Sequence, residues 1–148
     1  MPRYVATISS LWGVDEAFRF MSDFANAQLW DPSVVSARRV DRGEVSLDSQ
    51  FDLTVRFAGR NKTLRYRVTS LVSGREITFE SITRALTSLD TLTFEPRTHG
   101  CEMTYSAELR FTGIAALANP VLGRLFGRLG DRARDSLREI LGSPREAA

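Results

Sequence analysis

Asp90 is the residue whose position in this sequence most clearly suggests chemistry. It lies in the alternating segment 86–95, where it shares its parity with Leu92 and Phe94. Because alternate residues of a β-strand point to the same face, we expect the carboxyl group of Asp90 to lie among apolar side chains. Burial there would raise its pKa, and Asp90 could then act as a general acid or base. The alternative is a structural aspartate, hydrogen-bonded to a neighbouring strand or placed at a bulge.

Four more polar side chains share the inward parity of predicted strands. Tyr66 and Tyr105 have hydroxyl groups that need a partner when buried, which could be a ligand carbonyl, the backbone or a water. Ser81 and Ser88 are small polar groups that could orient a ligand in a pocket without catalysis. If the protein is an enzyme, we expect Asp90, Tyr105 and Tyr66 to be its catalytic residues. Packing in the core is the alternative for both tyrosines.

His99 and Cys101 are the single histidine and the single cysteine of the chain. They cannot build a zinc site of the usual kind, and one cysteine cannot form an internal disulfide, so a reducing cytoplasm is the simplest compartment. His99 lies in the turn sequence RTHGC, which favours an exposed hairpin tip over a catalytic role. No phosphate-binding glycine motif is present, and we expect neither a metal nor a cofactor.

The composition predicts one globular domain over residues 1–148. Of the 148 residues, 43% are hydrophobic and 26% are charged, which is usual for a globular protein. The formal net charge of +2 gives little reason to expect a nucleic-acid partner. No apolar run is long enough to span a bilayer, so we expect no stable membrane insertion.

Alternating apolar residues predict an antiparallel sheet in the middle of the chain. Phe51, Leu53, Val55 and Phe57 form one such series, with polar residues between them. Strands are predicted at residues 4–8, 34–40, 51–57, 63–69, 77–81, 86–95 and 103–111. Two short helices follow the first strand, the second at residues 24–30. Outward arginines at these strands are explained by cross-strand ion pairs with acidic neighbours: Arg56, Arg65, Arg67 and Arg110.

A long apolar-striped helix is predicted at residues 114–141. Pro120 suits its first turn, and Gly142 suits its C-terminal end. The stripe consists of Leu117, Val121, Leu122, Leu125, Phe126, Leu129, Ala133, Leu137 and Leu141. Glycines inside the helix cost about 1 kcal/mol each relative to alanine, at positions Gly123, Gly127 and Gly130. Either the helix approaches the sheet closely there, or it is loosened so that it can gate a cavity.

Three segments resemble the START-like, or SRPBCC, superfamily, and within it the polyketide cyclase/dehydrase and lipid-transport group. They are FRFMSDFANAQLWDPSVVSARRV at residues 18–40, LDTLTFEP followed by MTYSAELRF at residues 89–111, and GRLGDRARDSLREIL at residues 127–141. The resemblance implies an α+β fold of the helix-grip type. In this fold a bent antiparallel sheet of six or seven strands surrounds the long C-terminal helix, with an apolar cavity between them.

The resemblance further implies that the cavity binds a small hydrophobic or amphipathic molecule, such as a lipid, an isoprenoid or an aromatic polyketide. Trp30 is either a wall of the cavity entrance or a plug in the core. The residues expected to bind the ligand are Trp30, Phe51, Leu53, Val55, Phe57, Tyr66, Phe79, Ser81, Ser88, Asp90, Leu92, Tyr105, Leu122 and Phe126. The inward apolar set also includes Phe94 and Leu109, and some of its members must be solid core.

Two other functions remain open at this point. The cavity could belong to a cyclase or dehydratase that folds a polyketide-like substrate, with Asp90 and a tyrosine moving protons beside a carbonyl. The protein could instead be a macromolecular interaction module whose cavity is filled by side chains. The sequence leaves the oligomeric state open between a monomer and a homodimer.

Overall fold

Seven antiparallel strands form one sheet in the computed structural model, which describes residues 2–113, 116 and 119–144, with the side chain of residue 119 left out. The strands are β1 (Arg3–Ser10), β2 (Val34–Arg39), β3 (Gln50–Phe57), β4 (Arg60–Val72), β5 (Glu76–Ile82), β6 (Leu86–Pro96) and β7 (Cys101–Phe111). The helices are α1 (Val14–Ser22), a 3₁₀ helix (Phe24–Asn26), α2 (Ala27–Trp30) and α3 (Asn119–Leu141).

Consecutive strands from β2 to β7 are neighbours in the sheet, and the N-terminal strand β1 forms the edge beside β7. The strand order is β1-β7-β6-β5-β4-β3-β2, so β2 to β7 each pair with their neighbours in sequence and β1 pairs with β7. Burial alternates strictly along most of β6 and β7, as expected when one face of an antiparallel sheet covers a core. The prediction of a helix-grip α+β fold is confirmed, with seven strands rather than six.

The helix α3 lies along the N-terminal strand and contacts β1 more than any other element. Its C-terminal half is buried through Ala133, Leu137 and Leu141. The backbone N–H of Leu11 donates to the carbonyl of Leu141 at 2.7 Å, which ties the end of β1 to the end of α3. This hydrogen bond and the buried side chains hold the C-terminal half of α3 against the sheet.

The predicted stripe of α3 is correct in its second half and wrong at Val121, which is 72% exposed. The predicted start at Ile114 and the stripe residue Leu117 lie outside the described residues. The glycine at position 130 has a steric reason, because an added Cβ would lie 2.5 Å from the ring of Tyr4 on β1. At Gly127 an added Cβ would meet no atom within 4 Å. Close approach to the sheet therefore explains Gly130 but not Gly127.

The short helices close one part of the concave face with aromatic side chains. Phe24 stacks on Phe79 with ring centroids 4.1 Å apart, and its edge also meets Phe51 and Tyr66. Phe18 on α1 packs edge-to-face against Phe94, with centroids 5.3 Å apart. This part of the concave face is solid core. None of the described helices is both long and apolar enough to cross a membrane.

Candidate functional site

A cavity of about 450 Å³ lies between the concave face of the sheet and α3. Its apolar lining comes from five strands, the loop before β6, the 3₁₀ helix and the middle of α3: Phe24, Val34, Leu53, Val55, Phe57, Leu64, Ala85, Leu86, Ala107, Leu109, Phe111, Phe126, Leu129 and Ala133. The remaining lining consists of residues with a polar or charged group and of the backbone at Gly130: Tyr4, Asp31, Ser33, Arg56, Arg60, Lys62, Tyr66, Ser88, Asp90 and Tyr105.

The strand register gives this cavity an inner end and a mouth. Along paired β6 and β7 the lining passes from half-buried Leu86 opposite Phe111 to buried Asp90 opposite Ala107. Along β3 it passes from Phe57, which is half-buried at the hairpin, to fully buried positions further along the strand. At the mouth Phe57 stacks on Phe111, with ring centroids 6.3 Å apart. The inner end is therefore formed by the middle of β4, β6 and β7.

Polar side chains gather at this inner end. The hydroxyl of Tyr66 lies 2.8 Å from Oγ of Ser88, and both side chains are buried. Tyr105 is close enough to the Asp90 carboxyl group for its hydroxyl to influence the pKa of Asp90. Asp90 is only 6% exposed. The three residues predicted as catalytic for an enzyme, Asp90, Tyr105 and Tyr66, thus all line one end of one cavity.

Burial decides how Asp90 ionises. Loss of hydration is the main cause that raises its pKa to about 8, and the charge of Asp31 adds to this effect. The hydrogen bond from Tyr105 acts in the opposite direction but is the smaller influence. A carboxyl group in this state can give or take a proton near neutral pH, which is the property that acid–base chemistry requires.

Asp31 is a second carboxyl group in the cavity, and the sequence reasoning missed it. It lies in a loop directly after Trp30, the last residue of α2. Its side chain accepts hydrogen bonds from the backbone N–H of Ser33 at 2.9 Å and from the Ser33 hydroxyl at 2.7 Å. Burial raises the pKa of Asp31, and these hydrogen bonds only partly offset the rise.

Three basic side chains line the mouth of the cavity: Arg56, Arg60 and Lys62. All three are exposed. The prediction that a cross-strand ion pair explains Arg56 is wrong, because its partner position on β4 is occupied by Asn61. Arg65 does form the expected pair, with its Nε 2.8 Å from the Asp52 carboxylate.

Of the fourteen residues predicted to bind the ligand, these line the cavity: Leu53, Val55, Phe57, Tyr66, Ser88, Asp90, Tyr105 and Phe126. Six others do not line it: Trp30, Phe51, Phe79, Ser81, Leu92 and Leu122.

Four of the six residues that do not line the cavity are buried elsewhere in the core. Phe24 covers Phe51 and Phe79, and Leu92 is fully buried. Trp30 is 1% exposed and packs edge-to-face on Tyr105, which makes it the core plug of the two alternatives. Those four therefore belong to the solid part of the interior.

Ser81 and Leu122 miss the cavity for different reasons. Ser81 lies opposite Ser88 on β5, and its Oγ is buried with no hydrogen-bond partner in the described structure. Leu122 belongs to the first turns of α3, beside Gly123, where the helix runs near Pro2 rather than over the cavity. Among the α3 side chains that the structure describes, Phe126 is the first to line the cavity.

Strand parity alone identifies some cavity-lining residues that were not predicted to bind the ligand. Leu64 shares its parity with Tyr66, and Ala107 shares its parity with Tyr105. Tyr4 likewise shares its parity with buried Ala6 and Ile8 on β1, and Arg60 and Lys62 share theirs with buried Leu64 on β4. Ser33 and Arg56 have no such signal, because Ser33 lies in a loop and Arg56 has the outward parity of β3. His99 is exposed between β6 and β7, as predicted. Among the residues that the structure describes, no three His, Cys, Asp or Glu side chains come together as metal ligands would.

Known proteins share this architecture. A START superfamily protein from Mycobacterium smegmatis superposes with a TM-score of 0.74 at 14% identity, over 95% of this chain and 97% of that one. The ZhuI aromatase/cyclase from Streptomyces sp. R1128 gives a TM-score of 0.71 at 13% identity, over 93% and 91% of the two chains. The di-domain aromatase/cyclase StfQ of the steffimycin biosynthetic pathway gives 0.60 at 20% identity, over 95% of this chain and 45% of that one.

These identities are low, so the structural likeness establishes the fold alone. A search of curated protein sequences found no match. The sequence profile described as polyketide cyclase/dehydrase and lipid transport matches residues 1–142, which is nearly the whole chain. Together with the seven-stranded sheet, the long closing helix and the cavity between them, this match shows that the chain belongs to the polyketide cyclase/dehydrase and lipid transport family.

Proposed function

We propose that this protein binds a small hydrophobic or amphipathic molecule in the cavity between the sheet and α3. The observation that carries the proposal is an interior space of about 450 Å³ with a mainly apolar lining and a few polar groups at its inner end. Cavities of roughly 300–1,000 Å³ with this type of lining are typical of small-molecule sites. Transfer of an apolar ligand from water would supply most of the binding free energy.

The candidate ligands are a lipid, an isoprenoid or an aromatic polyketide-like molecule. The family to which the chain belongs supports this range. The lining supports it as well, because the aromatic rings of Phe24, Phe57, Phe111 and Phe126 offer faces and edges to a flat or flexible apolar body.

Native mass spectrometry of the freshly purified protein, followed by organic extraction, tests the proposal. We expect a bound apolar species of defined mass. The variant Ala107→Leu fills part of the cavity and should lose that species, whereas Val5→Leu on the exposed side of β1 should keep it. A protein without any bound species, and without a thermal shift across lipids and aromatic polyketides, would contradict the proposal and favour a macromolecular interaction module.

Acid–base catalysis in the same cavity is the second candidate function, and the state of Asp90 favours it. A buried carboxyl group with a pKa of about 8, in the same cavity as the Tyr105 hydroxyl, could move a proton beside a substrate carbonyl in a cyclase or dehydratase. The variant Asp90→Asn separates the two functions. A loss of turnover with retained binding would establish the enzyme, and binding without turnover in the unmodified protein would establish the binding protein.

A further inference from the structure

We propose that the ligand is bipolar, with a neutral oxygen group such as a hydroxyl or carbonyl at the inner end of the cavity and an anionic group at the mouth. This inference rests on the proposed binding function and specifies its ligand class. It follows from the opposite polarity of the two ends of the cavity, which an apolar stretch of lining separates.

The inner end disfavours an anion. Asp90 lies there, and Asp31, which also lines the cavity, is near enough for its charge to raise the pKa of Asp90. No Lys, Arg or His in the described part of the chain forms an ion pair with either carboxyl group. Arg132 on α3 acts on Asp31 only weakly, as the last of the influences on its ionisation. An anionic headgroup placed there would lose its hydration without meeting a cation, which is costly for a buried charge.

A neutral oxygen group fits the inner end well. Tyr66, Ser88 and Tyr105 offer hydroxyl groups, and a protonated Asp90 offers both a donor and an acceptor. Because burial raises the pKa of Asp90 to about 8, its carboxyl group is mainly protonated at neutral pH. A hydroxyl or carbonyl of the ligand could therefore exchange hydrogen bonds with this cluster without carrying a charge into it.

The mouth has the opposite character. Arg56, Arg60 and Lys62 come from the paired ends of β3 and β4 and border the cavity together. None of the three has an ion-pair partner among the residues described, although arginines elsewhere on the same hairpin do, such as Arg65 with Asp52. Three unpaired cations around a cavity entrance offer charge-assisted hydrogen bonds to a carboxylate or phosphate.

The positions of the two polar clusters set the orientation of a bound ligand. A ligand with a single anionic group would leave that group at the mouth and place its apolar end inside. A ligand that also bears a hydroxyl or carbonyl at its other end would satisfy both clusters at once. Each added polar contact of this kind corresponds to roughly a fivefold to tenfold gain in affinity.

Calorimetric titration with three probes of equal chain length tests the inference: decanoic acid, 1-decanol and ω-hydroxydecanoic acid. We expect ω-hydroxydecanoic acid to bind roughly tenfold more tightly than decanoic acid. In the double variant Arg60→Gln/Lys62→Gln, its advantage over 1-decanol should disappear. In Asp90→Leu, which removes the hydrogen-bonding carboxyl group but retains bulk, its advantage over decanoic acid should disappear.

Two controls guard against indirect effects. Arg97→Gln removes one positive charge, against two in the double variant, at an exposed hairpin on another part of the sheet, where it should leave all three affinities unchanged. Circular dichroism and the urea midpoint of each variant verify that it is folded. If Asp90→Leu does not fold, Tyr105→Phe, which removes one hydroxyl from the same cluster, should reduce the same advantage.

The outcomes separate the two proposals. Equal affinities for all three probes would overturn the bipolar ligand and leave the binding function intact. Tighter binding of decanoic acid than of the hydroxy acid would also overturn it, because the inner end would then reject polar groups. Binding of none of the probes, together with a purified protein free of any bound species, would overturn the proposed function and this inference with it.

Discussion

The hydroxyl of Tyr66 lies 2.8 Å from Oγ of Ser88, so the side chains of β4 and β6 are joined across the strand between them. Both residues are buried and both line the cavity. This hydrogen bond replaces the hydration that each hydroxyl loses on folding. It also holds the inner end of the cavity at a fixed width, which connects the stability of the sheet to the shape of the site.

Removal of either hydroxyl should therefore destabilise the protein by leaving the other without its partner. We expect Tyr66→Phe and Ser88→Ala each to lower the free energy of unfolding by about 1–2 kcal/mol. The double variant should cost less than the sum of the two, with a coupling of about 1 kcal/mol. Urea unfolding of the four proteins measures this cycle, and additive effects would show that the hydroxyls do not depend on each other.

Two glycines of α3 form a matched pair for a test of helix packing. Gly127→Ala should raise the free energy of unfolding by up to about 1 kcal/mol, because its Cβ meets nothing and alanine favours the helix. Gly130→Ala should lower it by about 1–3 kcal/mol, because its Cβ would lie 2.5 Å from the ring of Tyr4. Thermal unfolding compares the two.

A Tyr4→Ala background provides the control for Gly130. The penalty of Gly130→Ala should largely disappear there, since the ring that obstructs the new methyl group is absent. Equal effects of the two alanine substitutions in the unmodified background would mean that α3 does not approach β1 closely at position 130.

Two buried alanines distinguish an open cavity from a filled one. Ala107 lines the cavity, whereas Ala27 on α2 is buried in the core away from it. Ala107→Leu should change the free energy of unfolding by less than about 1 kcal/mol, because the added carbons occupy empty space. Ala27→Leu should cost about 1–3 kcal/mol through overpacking. Chemical denaturation measures both, and a penalty at Ala107 as large as that at Ala27 would indicate that no space is available.

Asp90 should make the stability fall as the pH rises. Its pKa is raised by burial, and further by Asp31, from an ordinary value of 3.8 to about 8. Between these two values the unfolded chain has lost the proton that the folded protein still holds, so the unfolded state binds fewer protons and the free energy of unfolding decreases with pH. The stabilisation is fully present below about 4 and is lost as the pH approaches 8.

Urea unfolding at several pH values between about 5 and about 8 measures this slope, which is at most about 1.4 kcal/mol per pH unit. The slope should become smaller in Asp90→Asn, whose side chain does not titrate, and the part that remains comes from Asp31, because burial raises its pKa as well. Asp31→Asn is the matched control. It should retain a slope that ends at a lower pH, because loss of the Asp31 charge lowers the pKa of Asp90. A pH-independent stability in the unmodified protein would show that Asp90 is hydrated in the folded state.

Local patterns in the sequence predicted the elements of this fold with small errors at their ends. Alternation of apolar and polar residues is a property of each strand by itself, so all seven strands could be placed. The same parity put Asp90, Tyr66 and Tyr105 on the concave face, where the structure has them. The family resemblance supplied the arrangement of the sheet around the helix, which periodicity alone does not specify.

Parity gives the face of the sheet on which a residue lies but not the depth of that residue or what covers it. Phe51 and Phe79 lie on the same face of the sheet as Leu53, yet only Leu53 lines the cavity. Phe24, from the 3₁₀ helix, covers the other two side chains. The same reason hid Asp31, a loop residue whose side chain enters the cavity only when α2 packs beside the sheet.

The sequence by itself determined the strands, the long helix, the family and the identity of the buried aspartate. The tertiary structure alone decided which inward residues border empty space, which basic residues surround its mouth, and that two carboxyl groups line the same cavity. The physical reason is that strand parity depends on backbone geometry within a few residues, whereas a cavity forms where elements far apart in the chain fail to fill the space between them.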